Sequence, residues 1–239
     1  ADRLTAVGYS AGIAVTTGGT STLIGYNAGA SITTGSTHVF IGHESGDGFD
    51  TESHNMGIGE SALGGAVAGG EYNIAIGNYS LDAVTSGDYN VAVGYQAGTA
   101  LTTGAENLFY GKGAGGAITT GSNNTMIGMN AGDGFDAESH NIGIGTNALG
   151  GSIAGGEYNT AVGQYTLQAL TSGDYNTAFG YNAGASITSG GNSTFIGKSA
   201  GSAVTDAHEN MCIGSEAGAS ITTGGGNTMI GRECGDGFD

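Results

Sequence analysis

The chain has 239 residues, of which 51 are Gly and none is Pro or Trp, while 38% are hydrophobic. The lack of Pro excludes collagen, and apolar residues recurring in strict phase exclude a disordered Gly-rich chain. Twenty-one acids against four bases give a net charge of −17. That excludes nucleic acid and anionic membrane as partners, because both select basic patches. No apolar run approaches the roughly 18–20 residues of a membrane span.

Read from the N-terminus, the chain is one segment repeated. Each copy is numbered so that its fifth place is a Gly, and the copies then begin at residues 4, 21, 38, 55, 73, 90, 107, 124, 141, 159, 176, 193, 210 and 227. The spacing is 17, except for 18 in the copies starting at 55 and 141, which carry the parallel segments "GGAVAGGEY" and "GGSIAGGEY". Fourteen copies leave no room for another domain, so residues 1–239 read as a single repeat domain. Seventeen residues are too few for a helical-repeat unit. Short Val-, Ile- and Thr-rich stretches bounded by Gly read as strands. The sequence therefore predicts an all-β parallel β-solenoid of about fourteen 17-residue coils, with a strand at places two to four and a second strand near places ten to fourteen.

Place one is usually Asn, from Asn55 to Asn227, a residue that tolerates left-handed turns and can bond from coil to coil. Place four is almost always Ile or Val, and place twelve is large and apolar, as in Ile32, Phe49, Leu101, Phe135, Ile187 and Phe238. These two places are expected to meet inside the coil. Alternation along the strand then turns place three outward. Leu23, Phe40, Phe109, Met126, Phe195 and Met229 stand there, and the expected consequence is self-association along an exposed apolar stripe.

"NTAVGQYTLQALTSGDY" (159–175) and "NIAIGNYSLDAVTSGDY" (73–89) resemble the N-T-A-φ-G-Y-x-A-G…T-T-G repeats of phage tail fibres and bacterial surface proteins. They are also similar to the repeats in the heads of trimeric autotransporter adhesins. The resemblance covers essentially the whole chain. It implies a left-handed β-roll assembled side by side as a homotrimer. It also implies an extracellular fibrous structural and cell-adhesion role, on a bacterial cell surface or a virion fibre, with a face that binds a host surface glycan or protein.

The chemistry-bearing residues are few. None of the five His lies in a nucleophile motif, so no enzyme and no resident cofactor is expected. "SGDGFDTES" (45–53) and "AGDGFDAES" (131–139), echoed by the terminal "CGDGFD" (234–239), place acids at repeated spacing. Asp47, Asp50 and Glu52, and likewise Asp133, Asp136 and Glu138, are candidate calcium ligands, because Ca²⁺ takes several oxygens from a flexible loop; solvated acidic turns are the competing reading. Place six, just after the Gly turn, carries Tyr9, Tyr26, Tyr95, Tyr181, Lys112, Lys198 and Arg232. Exposed Tyr and basic residues on a rigid scaffold suit recognition of a sugar or protein, and packing between chains is the alternative. A second set, Tyr72, Tyr89, Tyr158 and Tyr175, precedes the Asn of the following copy.

Two further readings compete with an adhesive fibre. Stacked Thr pairs such as Thr16–Thr17 and Thr102–Thr103 allow an ice-binding solenoid. Asp239 at the thirteenth place and Ala1 at the fifteenth allow ends that meet in an end-to-end extracellular filament, or a chain cut from a longer array. Cys212 and Cys234 occupy small-residue places and are expected to be free thiols.

Overall fold

The computed structural model describes residues 3–65, 69–151, 155–235 and 237. The chain forms two compact units, Ala1–Ser122 and Asn123–Asp239. Both are all-β and built from one three-residue strand per coil. The first unit holds β1 (Thr5–Val7), β2 (Thr22–Ile24), β3 (Val39–Ile41), β4 (Met56–Ile58), β5 (Ile74–Ile76), β6 (Val91–Val93) and β7 (Leu108–Tyr110). The second holds β8 (Thr125–Ile127), β9 (Ile142–Ile144), β10 (Thr160–Val162), β11 (Thr177–Phe179), β12 (Thr194–Ile196), β13 (Met211–Ile213) and β14 (Thr228–Ile230). Within each unit every strand pairs in parallel with the next, place for place, as in Thr22↔Val39 and Thr177↔Thr194. The fold is a parallel β-solenoid whose period is the 17-residue repeat.

The remainder of each coil is turn. The expected second strand is not formed among the described residues. Places seven and nine adopt left-handed backbone, as at Asn27 (φ 55°) and Gly29 (φ 57°), and so does the last place, as at Thr37 (φ 64°). These residues bound places ten to fourteen, where the backbone itself is turned and bent, as at residues 30–34. What survives of the second ladder is a coil-to-coil bond at place thirteen, Thr102 N–H donating to Thr119 O at 2.7 Å and Thr171 N–H to Thr188 O at 2.8 Å. Gly at place five is required twice over. At Gly94 the backbone has φ 139°, and a Cβ there would lie 2.5 Å from the carbonyl oxygen of Gly111 in the next coil.

The first-place Asn residues form the buried polar spine. Asn90 N–H donates to Asn73 Oδ1 at 2.9 Å, while Asn90 Nδ2 donates to the same oxygen at 3.1 Å and to Gly104 O at 2.9 Å. Asn176 repeats this toward Asn159 and Gly190. Asn90 and Asn176 thus use every amide donor, and among the described residues no buried side-chain polar atom is without a partner, which is what permits a row of polar groups inside so thin a coil.

The inside and outside of the strand are the reverse of the sequence expectation. Place three is the core: Leu23, Phe40, Phe109, Met126 and Phe195 have no exposure, and Met229 has 8%. Place four faces out, with Ile24, Ile76, Phe179 and Ile196 exposed. The partners of place three are the small residue at place eight and the large one at place twelve, both buried, as Ala28 and Ile32 are. Place twelve thus lies inside as expected, but it meets place three rather than place four; Phe238 lies outside the described residues. Because Asn at place one is also buried, places one and three share a face, and places two and four share the other.

Candidate functional site: the strand face and its aromatic margins

The outward residues of β1 to β14 are two per strand, at places two and four. They are Thr, Val, Ile, Leu, Met, Tyr or Phe at every coil, and not one is charged. In the first unit the face runs through Thr22 and Ile24, Val39 and Ile41, Met56 and Ile58, Ile74 and Ile76, Val91 and Val93, and Leu108 and Tyr110. In the second, Ile230 is the most exposed of its large apolar members, followed by Phe179, Met211, Ile142 and Ile196. Parallel sheets are ordinarily covered on both faces. Here one face packs on the coil interior and the other carries apolar side chains uncovered within the chain. The residues expected to mediate self-association, Leu23, Phe40, Phe109, Met126, Phe195 and Met229, are instead enclosed by their own coils and present no surface to another chain. The usable signal was parity. Asn at place one is strongly polar yet buried, so place three, two residues on, had to be buried with it.

Two rows of residues border this face. Place six follows the Gly turn at one margin. Tyr9, Tyr26, Tyr95, Tyr181, Lys112, Lys198 and Arg232 are all exposed there. Tyr9 and Tyr26 stack at 5.3 Å, and Tyr26 and His43 at 5.1 Å. Lys198 Nζ lies 3.4 Å from Glu216 and Arg232 lies 2.6 Å from Glu233, pairs exposed enough to contribute little. The last place of each coil forms the other margin. His54, Tyr72 and Tyr89 stack at 4.7 and 5.0 Å with rings within 6° of parallel. His140, Tyr158 and Tyr175 do the same at 4.8 and 5.0 Å. The coil pitch sets this spacing: identical side chains in successive coils arrive one strand spacing apart. Tyr79 and Tyr165, at place seven, are further ring partners, meeting Tyr95 and Tyr181 edge-on at 6.2 and 6.0 Å.

The acidic segments are not brought together as cation cages. Glu52 is nearly buried, and its Oε2 accepts from the backbone N–H groups of Asp50 (3.0 Å) and Thr51 (3.1 Å). Glu138 accepts from Asp136 N–H at 2.7 Å and Gly155 N–H at 2.8 Å. Asp50 accepts from the Thr33 hydroxyl. Burial raises the Asp47 and Asp133 carboxyls above the usual carboxylate range, with the charge of Glu44 adding to the effect at Asp47. Among the described residues no three of His, Cys, Asp or Glu converge as a metal-binding group. Asp236 and Asp239 of the third acidic segment lie outside the described residues.

The place-thirteen Thr row is occupied as well. Thr16 Oγ1 donates to Thr33 O and Thr102 Oγ1 to Thr119 O, each at 2.9 Å. These place-thirteen hydroxyl protons tie coil to coil. Both cysteines are free thiols; burial pushes Cys212 up to about 11, and nearby Cys234 adds to the shift.

No protein-family model, no curated protein and no solved structure matches the chain.

Proposed function

We propose that this chain is a structural and adhesive segment of an extracellular fibre, and that it self-associates side by side, as a homotrimer, through the strand face of places two and four. One observation carries the reading: a chain of net charge −17 presents outward residues on all fourteen strands without one charge. Such a face lets two copies of a strongly acidic molecule meet with no charge at the contact itself. Seven strands about 4.8 Å apart and three residues wide at about 3.3 Å each give each unit a face of roughly 330 Å². That is already the size of the largest apolar patch on an ordinary monomer, roughly 300–600 Å². The likeness of the repeats to tail-fibre and adhesin-head repeats supports the trimeric state, the extracellular location and the adhesive role. A host glycan or protein would meet the sides of the coil that association leaves open.

The test is solution mass by light scattering. The wild-type chain is expected at a multiple of 23.3 kDa. Ile24→Glu, Ile76→Glu and Ile196→Glu together, which leave the buried place-three core untouched, are expected to return it to one. A wild-type chain that stays at the monomer mass at every concentration overturns the proposal.

A further inference from the structure

The ring stacks His54–Tyr72–Tyr89 and His140–Tyr158–Tyr175 are not the easy choice for the backbone that holds them. All four Tyr stand at φ 57°, and His54 and His140 at φ 64° and 61°. That is left-handed backbone, which Asn and Gly enter readily and a ring-bearing residue does not. The same place in other coils holds Asn123, Asn192 and Gly226, at φ 59°, 57° and 73°, so the easier residues fit the fold. Stacking gives two ring contacts for three strained residues in each row. All six residues are exposed, and none belongs to the core.

The chain also carries its own comparison, because residues 38–123 recur in altered form as residues 124–209. Ser53–His54, Glu71–Tyr72 and Asp88–Tyr89 come back unchanged as Ser139–His140, Glu157–Tyr158 and Asp174–Tyr175. Other exposed residues nearby do not: Ala137 stands for Thr51 and Gln164 for Asn78. Each stack has an open end. Tyr89 and Tyr175 meet a ring on one side only, and each is the more exposed tyrosine of its row, 56% and 57% against 43% and 46% for Tyr72 and Tyr158. The row runs on past them in the same backbone register. Glu106 N–H donates to Asp88 O at 3.0 Å and Asn192 N–H to Asp174 O at 2.9 Å, as Tyr89 N–H donates to Glu71 O at 3.1 Å. Glu106 or Asn192 therefore stands one coil, about 4.8 Å, beyond the last ring. Both are exposed and neither carries a ring.

We infer that the open faces of Tyr89 and Tyr175 each bind a flat aromatic cation, which continues the stack as a fourth ring. The face of a phenol ring is the negative side of its quadrupole and attracts a cation set over it. The Glu106 side chain is long enough to turn its carboxylate to the charge of a ring lying on Tyr89. A chain of net charge −17 concentrates cations around itself and repels anions. An uncharged ring gains the stacking contact alone. Because Asn192 stands where the first unit has Glu106, the site on Tyr175 is the weaker of the two. Each site is built from one unit of one chain, and neither depends on how copies associate.

The probe is thioflavin T, a flat benzothiazolium cation whose fluorescence rises when it is held rigid. Titration of the wild-type chain is expected to saturate at two dyes per chain, one bound more tightly than the other. Tyr89→Ala is expected to remove the tighter site and Tyr175→Ala the weaker. Tyr89→Leu, which keeps an apolar side chain without a ring face, is expected to act as Tyr89→Ala does. Glu106→Gln, which alters no ring, is expected to weaken the first site by up to roughly fivefold, and Asn192→Glu to tighten the second by as much. No binding by the wild type, or binding that survives Tyr89→Ala combined with Tyr175→Ala, overturns the inference. Equal binding of the uncharged benzothiazole of the same shape overturns the preference for a cation. The mass by light scattering is expected to be the same for all these variants, so failure here is distinct from failure of the strand-face reading.

Discussion

At the residue scale the informative position is His38, which takes the place of Asn in the buried spine. Its Nε2 lies 2.8 Å from Glu52 O, where Asn73 and Asn90 reach a Gly carbonyl, and its Nδ1 accepts the Asn55 N–H at 3.4 Å. Nε2 therefore donates and Nδ1 accepts, which is the neutral imidazole. The ring also stacks on Phe40 at 4.8 Å. Burial lowers its pKa below 6.5, opposed by the bond to the Glu52 carbonyl and by the Glu52 charge, and His54 adds a further lowering. The unfolded chain consequently takes up this proton first. Stability is full above the unfolded value of about 6.5 and falls as the pH drops toward the lowered folded value. The expected outcome is a melting temperature that declines on acidification through the window just below pH 6.5. His38→Asn, which restores the spine without a titrating group, is expected to flatten that decline in melts followed by circular dichroism.

Elements show how fourteen near-identical coils tolerate different cores. Large residues at place three face Gly at place nine, as Phe195 faces Gly201. Where place nine is Leu, as in Leu63, Leu81, Leu149 and Leu167, place three shrinks to Gly57, Ala75, Gly143 and Ala161. Where both are small, the neighbouring coils fill the gap: a Cβ on Gly184, in the coil of Ala178, would lie 2.8 Å from both Leu167 and Phe195. The leucines stand in left-handed backbone (φ 48–55°), a strain of about 1–2 kcal/mol each, accepted because the alternative is a cavity. Phe195→Ala is expected to cost about 3–5 kcal/mol. Adding Gly201→Leu, which recreates the Ala161–Leu167 pair, is expected to recover part of that loss in denaturant melts. A double variant no more stable than Phe195→Ala would show that the two solutions are not interchangeable between coils.

The whole molecule adds charge to this picture. Each copy carries −17, while the face proposed for association is neutral, so copies meet through apolar burial against a repulsion spread over the remaining surface. Exposed charges are screened over about 30 Å at 0.01 M salt and about 8 Å at 0.15 M. Association is therefore expected to strengthen as NaCl rises across that range, read by sedimentation as a lower dissociation concentration. The opposite trend would assign the contact to ion pairs instead of the strand face.

Much of this was legible in the chain itself. Fifth-place Gly, first-place Asn and the 17-residue period determined the position of the one strand that forms and the coil-to-coil bonding, because each recurs in phase, whereas the left-handed backbone falls at places seven, nine and the last and not at the first-place Asn. The Tyr and His margins were visible as rows for the same reason. Which side of the strand faces inward was not legible from hydrophobicity, since Ile24 and Leu23, or Ile41 and Phe40, are equally apolar and alternation permits either choice. Only the closed coil decided it: places eight and twelve fold back onto place three, and a buried Asn at place one locks the parity. That closure turned the expected core row into the exposed face and enclosed the expected interface. The acidic segments show the same limit. Asp50 and Glu52 could be read as ligands until the turn brought backbone N–H groups and a Thr hydroxyl onto their oxygens, because a carboxylate within reach of unpaired amides in a tight coil satisfies those amides first.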